Sequence, residues 1–218
     1  MTPIDIQYKT TKLIKKGEAS LSSEFIDLTN WIEREYDVKV LNLVHDTIEN
    51  TNQPRLRIIL EYEDDAKKLS SLYGFGTSYQ LEKSAPFIQL VTEKLIRSNT
   101  EKICIVITSF ERAAKEEAIW AISKSEIETL HSEINIPELW KIHTEIFCTA
   151  TFFLFTNEQV QQFSRNGMKE YFQQKYFELL KRHDEFEYYQ KDEFSIELES
   201  KENFEKIYEN SWFNFDRR

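Results

Sequence analysis

Two cysteines, four glycines, four prolines and two methionines are all that this 218-residue chain holds of those types, and each shortage excludes something. Cys104 and Cys148 are too few for a disulfide framework or a four-cysteine zinc site. Scarce glycine and proline leave no linker of the usual composition to mark a domain boundary. No apolar run approaches the ~20 residues that a membrane helix needs. The opening residues, Met1 to Tyr8, lack the basic and apolar stretches of a signal peptide. Positive charge is short as well. Lys and Arg total 28 against 38 Asp and Glu, a net charge of −10, which disfavours nucleic acid as a partner. A cytoplasmic protein with no membrane contact is expected.

What the chain has in quantity is aromatic side chains, with 16 Phe, 10 Tyr and 4 Trp, so a packed core is expected and disorder is not. Periodicity supplies the elements. Ile4, Ile6 and Tyr8 alternate with polar residues, as in a half-buried strand. Leu21, Phe25, Leu28 and Ile32 fall at helical spacing, and Val38–His45 and Leu56–Tyr62 read as strands. Helices are expected over 64–72 and 84–95, and Ile103–Thr108, apolar on both faces, reads as a central strand. The order over residues 1–109 is then that of a ferredoxin-like βαββαβ sandwich with an inserted helix.

Residues 110–140 read as a helical connector that Pro137 breaks. Residues 141–218 then repeat the pattern. Phe147–Phe155 is a strand, Thr156–Gln159 a capping box and Met168–Leu179 a helix stripe. A hairpin turns around 190–193, a helix covers 201–210, and Trp212–Phe215 closes with a strand. Ile58–Leu69 lies over Ile196–Ile207 with four of twelve positions identical, and Phe152–Phe163 keeps the same apolar register. The expected fold is α+β, with two ferredoxin-like units in tandem joined by the connector.

Motifs for chemistry are sparse. Gly74-Phe-Gly-Thr-Ser-Tyr79 is neither a P-loop nor a dinucleotide fingerprint, because no Gly-Lys-Ser follows and Tyr79 stands where the third glycine belongs. Three His-x-Glu pairs, at 131/133, 143/145 and 183/185, lack the Pro-Cys-x-x-Cys that a zinc deaminase needs. No catalytic residue, metal or cofactor is therefore assigned. One reading of the polar residues puts a small-molecule or enzyme site between the two units, with His143 and Glu145 as its polar pair and Gly74, Gly76 and Tyr79 in a lid.

The charge points elsewhere. Asp184 to Glu209 holds ten carboxylates and three lysines, a balance of −7 within 26 residues. Phe186, Tyr188, Tyr189, Phe194, Phe204 and Tyr208 interleave it. An acidic face with outward aromatics suits a non-catalytic protein-binding module of the immunity, inhibitor or adaptor kind, with a basic protein as its partner. Glu193, Glu197 and Glu199, at even spacing on one strand, are its candidate contact residues. Exposed strand edges leave a homo-oligomer open.

Overall fold

In a computed structural model the chain is mixed α+β and divides into two compact units, Met1–Ala113 and Ala114–Arg218. The structure describes residues 1–72, 103–144, 150–192 and 194–217. The expected helix over 84–95 lies outside them.

The first unit opens with α1 (Ile6–Lys15) and α2 (Ile26–Tyr36), followed by β1 (Val40–Thr47), β2 (Pro54–Leu60) and α3 (Glu63–Leu72). It closes with β3 (Cys104–Ser109) and the first turn of α4 (Phe110–Ala121). The second unit takes the rest of α4, then α5 (Lys124–Ile134), β4 (Leu139–His143), β5 (Thr151–Leu154) and α6 (Asn157–Phe163). α7 (Met168–Lys181), β6 (Glu197–Ser200), α8 (Lys201–Lys206) and the short α9 (Trp212–Phe215) complete it. Among the described residues each unit contains a three-stranded sheet, ordered β1-β2-β3 or β4-β5-β6. In each, the first pair is antiparallel and the second parallel.

Several expectations give way here. The Ile4–Tyr8 segment is not a strand: α1 begins at Ile6 and buries Tyr8 and Thr11, which are spaced i, i+3. Five alternating residues are too short a sample to separate the two periods. With that strand gone, the βαββαβ order does not hold for the described residues. β3 is not central either. β2 takes that place, and β3 lies at one end of the described sheet. Residues 110–140 are no connector, because α5 and the start of β4 carry Leu130, Ile134 and Leu139 into the core of the second unit. Among the described residues no strand pair forms the hairpin expected around 190–193: Glu197–Ser200 is the strand, and it pairs parallel with β5. Trp212–Phe215 is helical, capped by the Ser211 side chain accepting from the Asn214 amide.

The two units repeat one another closely. In each, a helix ends on a left-handed residue, Asp37 or Asn135, types that tolerate that conformation. A bulge then displaces Leu41 or Trp140 at the start of the first strand. Leu60 pairs with Ser109 as Leu154 pairs with Ser200. The helix after the central strand begins three residues on, at Glu63 or Asn157. Ser109 and Ser200 accept from the amides of Arg112 and Asn203, capping the next helix in each unit. The structural equivalent of Ile58–Leu69 is thus Phe152–Phe163. Overlaying it on Ile196–Ile207 matches a central strand with an edge strand, which any strand-to-helix step in a Lys/Glu-rich chain allows.

One contact locks this arrangement. The second residue of the closing helix is a glutamate, Glu111 or Glu202. Glu111 Oε2 accepts from the Glu63 amide at 2.8 Å, and Glu202 Oε2 from the Asn157 amide at 2.9 Å. Both amides are orphan donors at a helix start, where a negative charge also meets the favourable end of the helix dipole. The amides of Glu111 and Glu202 in turn donate to the carbonyls of Glu61 and Phe155.

Apolar packing fills one side of each sheet. α2 and α3 bring Leu28, Ile32 and Leu69 onto Leu56, Ile58 and Leu60. α6 and α7 bring Phe163, Phe172 and Tyr176 onto Phe152 and Leu154, with the Phe152 and Phe172 rings stacked at 4.9 Å.

Removing the glutamate clamp should be felt in proportion to the orphaned amide. Glu202→Ala is expected to lower stability by about 1–2 kcal/mol in urea unfolding. Glu205→Ala, at an exposed position one residue before the end of α8, should stay within about 0.5 kcal/mol of wild type. Equal losses in the two variants would show that the clamp adds nothing.

Candidate functional site

Side chains alternate across the second sheet. Ile142, Phe152 and Leu198 face the helices α6 and α7. The opposite face carries two rows, Lys141-Phe153-Glu199 and His143-Thr151-Glu197. α8 and α9 lie over this face and turn it into an aromatic layer around the fully buried Phe153. Phe215 lies 5.0 Å and Trp212 5.3 Å from its ring centre, and Trp212 meets Phe204 at 4.2 Å. Contacts of this kind add a geometric preference to plain burial.

His143 belongs to that layer. Its ring stacks on Trp212 at 4.2 Å, and its Nε2 lies 2.8 Å from Asp216 Oδ1. Lys141 Nζ sits 4.2 Å from the centre of the Trp212 ring, at cation–π distance. The imidazole therefore pins the C-terminal helix to the sheet. Glu145, Gly74, Gly76 and Tyr79, which the small-molecule reading sets around it, lie outside the described residues, and so does Cys148. His131 and His183 are engaged too: Nε2 of His131 lies 3.1 Å from the Leu139 carbonyl, and that of His183 lies 2.9 Å from Glu126 Oε1. Among the described residues no group of three His, Cys, Asp or Glu side chains converges as a metal site.

The acidic run separates into two populations. Asp184 is buried and accepts from the amides of Tyr188 and Tyr189 and from Lys181 Nζ. Glu202 is the clamp already described. Glu199 turns back on its own helix start, accepting from the Ser200 amide at 2.7 Å and Asn203 Nδ2 at 3.0 Å. Glu185, Glu187, Asp192, Glu197, Glu205 and Glu209 remain exposed. Glu193 lies outside the described residues. Glu197 and Glu199 do share a face of β6, as their spacing requires, but only Glu197 is exposed.

The aromatics of the run are not outward anchors. Tyr188, Phe194 and Phe204 are buried. Tyr189 is half-buried, its hydroxyl donates to the Lys115 carbonyl, and burial raises its phenol above the ordinary range. In a chain this rich in Phe and Tyr, the core claims the rings first.

A feature that the sequence left unmarked lies beside β4. α5 presents Lys124, Ile127, Glu128, His131 and Ser132 along one face, at i, i+3, i+4, i+7 and i+8. Opposite stand Trp140 to His143 of the edge strand and Thr144, the residue after it. Between them is an open groove of about 520 Å³, with Ile122 also in its lining. The helical spacing of those five residues was the available signal, but it fell in a segment read as a connector.

In the first unit the corresponding sheet face carries Asp46, Arg55 and Arg57. Asp46 accepts from Arg55 through both oxygens, at 2.7 and 2.8 Å, and from Arg57 at 3.2 Å. The hydrogen bond from Arg55 holds the Asp46 carboxyl below its usual range.

Comparison with known proteins adds no identification: no family model matches the chain, and no curated protein or solved structure is significantly similar to it. No helix among the described residues is long and apolar enough to cross a membrane.

The Glu126 carboxyl gives a pH signature. It accepts from the Ser123 amide and hydroxyl at the start of α5 and from His183, and these bonds pull its pKa down to about 2. A carboxyl depressed on folding adds stability that is present above its unfolded value, near 4.5, and is lost as pH falls towards 2. Chemical unfolding between pH 5 and pH 2 should therefore show a shallower loss for Glu126→Gln than for wild type. Parallel pH curves would remove Glu126 from the acid sensitivity of the fold.

Proposed function

We propose that the protein is a cytoplasmic, non-catalytic protein-binding module whose second unit meets a basic protein partner through its acidic surface. The observation that carries this reading is the exposure of six carboxylates between Glu185 and Glu209 after three others have been taken into the fold. Exposed charge of one sign speeds encounter with an oppositely charged partner and discriminates against acidic ones. Such charge is screened by salt over about 8 Å at physiological ionic strength. The role assigned to Glu199 moves to its exposed neighbours, because its carboxylate is engaged at the start of α8. Glu197, Glu205 and Glu209 are the residues on which this reading rests most directly.

The test uses the intact chain. Wild type and a Glu197→Gln, Glu205→Gln, Glu209→Gln variant are immobilised and exposed to extract of the source cells at low salt, and the captured proteins are identified by mass spectrometry. A basic partner is expected on the wild type. Its association rate should fall at least several-fold between 20 and 200 mM salt, and the variant should be both slower and less salt-dependent. Equal rates and equal salt slopes for the two proteins would reduce the run to a solubilising surface.

A further inference from the structure

We propose that the groove between α5 and the outer edge of β4 receives an extended peptide segment of a partner protein, added to the sheet as a fourth strand and carrying a carboxylate for Lys124 and Lys141. This inference uses no residue of the acidic run and does not rest on the reading above.

The backbone makes the first argument. β4 ends the order β4-β5-β6, so among the described residues no strand pairs with its outer side. An edge of this kind presents amide and carbonyl groups that a further strand satisfies. At the near end the His131 ring already lies 3.1 Å from the Leu139 carbonyl, a side chain standing where a neighbouring strand would otherwise bond. Past that point the edge runs on beside the groove to Thr144.

Dimensions make the second. The lining face of α5 spans Lys124 to Ser132, eight steps of about 1.5 Å, or roughly 12 Å. An extended chain rises about 3.3 Å per residue, so the groove holds about four residues of a strand. Ile122, Ile127 and Ile142 give it an apolar floor, which suits every second side chain of such a strand.

Charge selects the sign of the occupant. In a chain of net −10, this lining carries two lysines against one carboxylate, Glu128. Lys124 is nearly fully exposed and stands 3.8 Å from Glu128, while Lys141 rests on the Trp212 ring. Asp216, beside His143, is the nearby carboxylate on the other face, and it is taken up by that imidazole. An acidic side chain on the incoming strand gives Lys141 a carboxylate and competes with the long contact from Glu128 for Lys124.

The experiment uses the full chain and three fluorescein-labelled hexapeptides: an alternating valine/glutamate sequence, its valine/lysine counterpart, and the valine/glutamate peptide N-methylated at alternate residues. The unmodified acidic peptide is expected to bind in the micromolar range and to shift the Trp140 indole resonance. The lysine peptide should bind at least tenfold more weakly, and N-methylation should abolish binding, because it removes the backbone donors. Lys124→Glu leaves the start of α5 sound, since an acid is favoured in the first turn of a helix. It should weaken the acidic peptide about fivefold and strengthen the basic one. The proposal fails if the N-methylated peptide binds as well as the plain one, if Lys124→Glu changes neither affinity, or if no peptide binds below 1 mM. It also fails if light scattering shows a dimer that Ser132→Lys, at an exposed position in the groove lining, dissolves, for then a second copy of the chain fills the edge.

Discussion

A carboxylate bound to a helix-start amide is the contact on which each unit turns. Glu111 and Glu202 sit on the helix that follows the parallel strand, yet their oxygens serve the helix that follows the central strand. The bond therefore fixes two chain reversals with one side chain. It satisfies a donor that would otherwise be orphaned, and it holds the parallel strand in register, because the glutamate is only two residues beyond the last paired position. A parallel pair has no tight turn to set its register. Here the clamp takes that role.

The two units spend the opposite face of their sheets differently. In the first, α1 covers part of it with Tyr8, stacked on Phe110 at 5.1 Å, and Thr11 Oγ1 accepts from Asn42 Nδ2. Further along, Asp46 accepts hydrogen bonds from two arginines. In the second, α8 and α9 bury Phe153 under Trp212, Phe204 and Phe215. Equivalent backbones thus carry a polar network in one case and an aromatic layer in the other. An aromatic layer needs no partner for each atom, whereas a half-buried carboxylate such as Asp46 is favoured there by the hydrogen bonds that fill its lone pairs. His143 joins the aromatic layer because it can both stack and hydrogen-bond, which ties the last short helix to a sheet it would be too short to hold alone.

For function, the consequence is that most chemistry-bearing side chains of the second unit are already committed. Three histidines, the aromatics and three carboxylates of the acidic run hold the fold together. The exposed remainder includes six carboxylates between Glu185 and Glu209 and, beside α5, an edge of β4 that no described strand pairs. Both features suit recognition of another chain: charge acts at a distance and sets the rate, while an open edge acts at contact through backbone bonds.

Sequence alone determined the pieces with a long, one-sided period. The helix stripe through Leu28 and Ile32, the strand Leu56–Leu60, the capping box at Thr156 and the stripe Phe172–Leu179 all stand in the structure. It also placed Glu197 and Glu199 on one face, because alternation is intrinsic to a strand. Tertiary structure decided the rest. The five residues Ile4–Tyr8 alternate for too short a span to define a period, and the sheet gave their Tyr8 a partner only as a helix. Which strand is central depends on pairing between distant segments, so an apolar run such as Ile103–Thr108 does not reveal its place. Whether Glu199 and Glu202 faced solvent or a helix start was set by where α6 and α8 begin. The groove beside β4 exists only because α5 packs against an edge, and an edge is a property of the whole sheet.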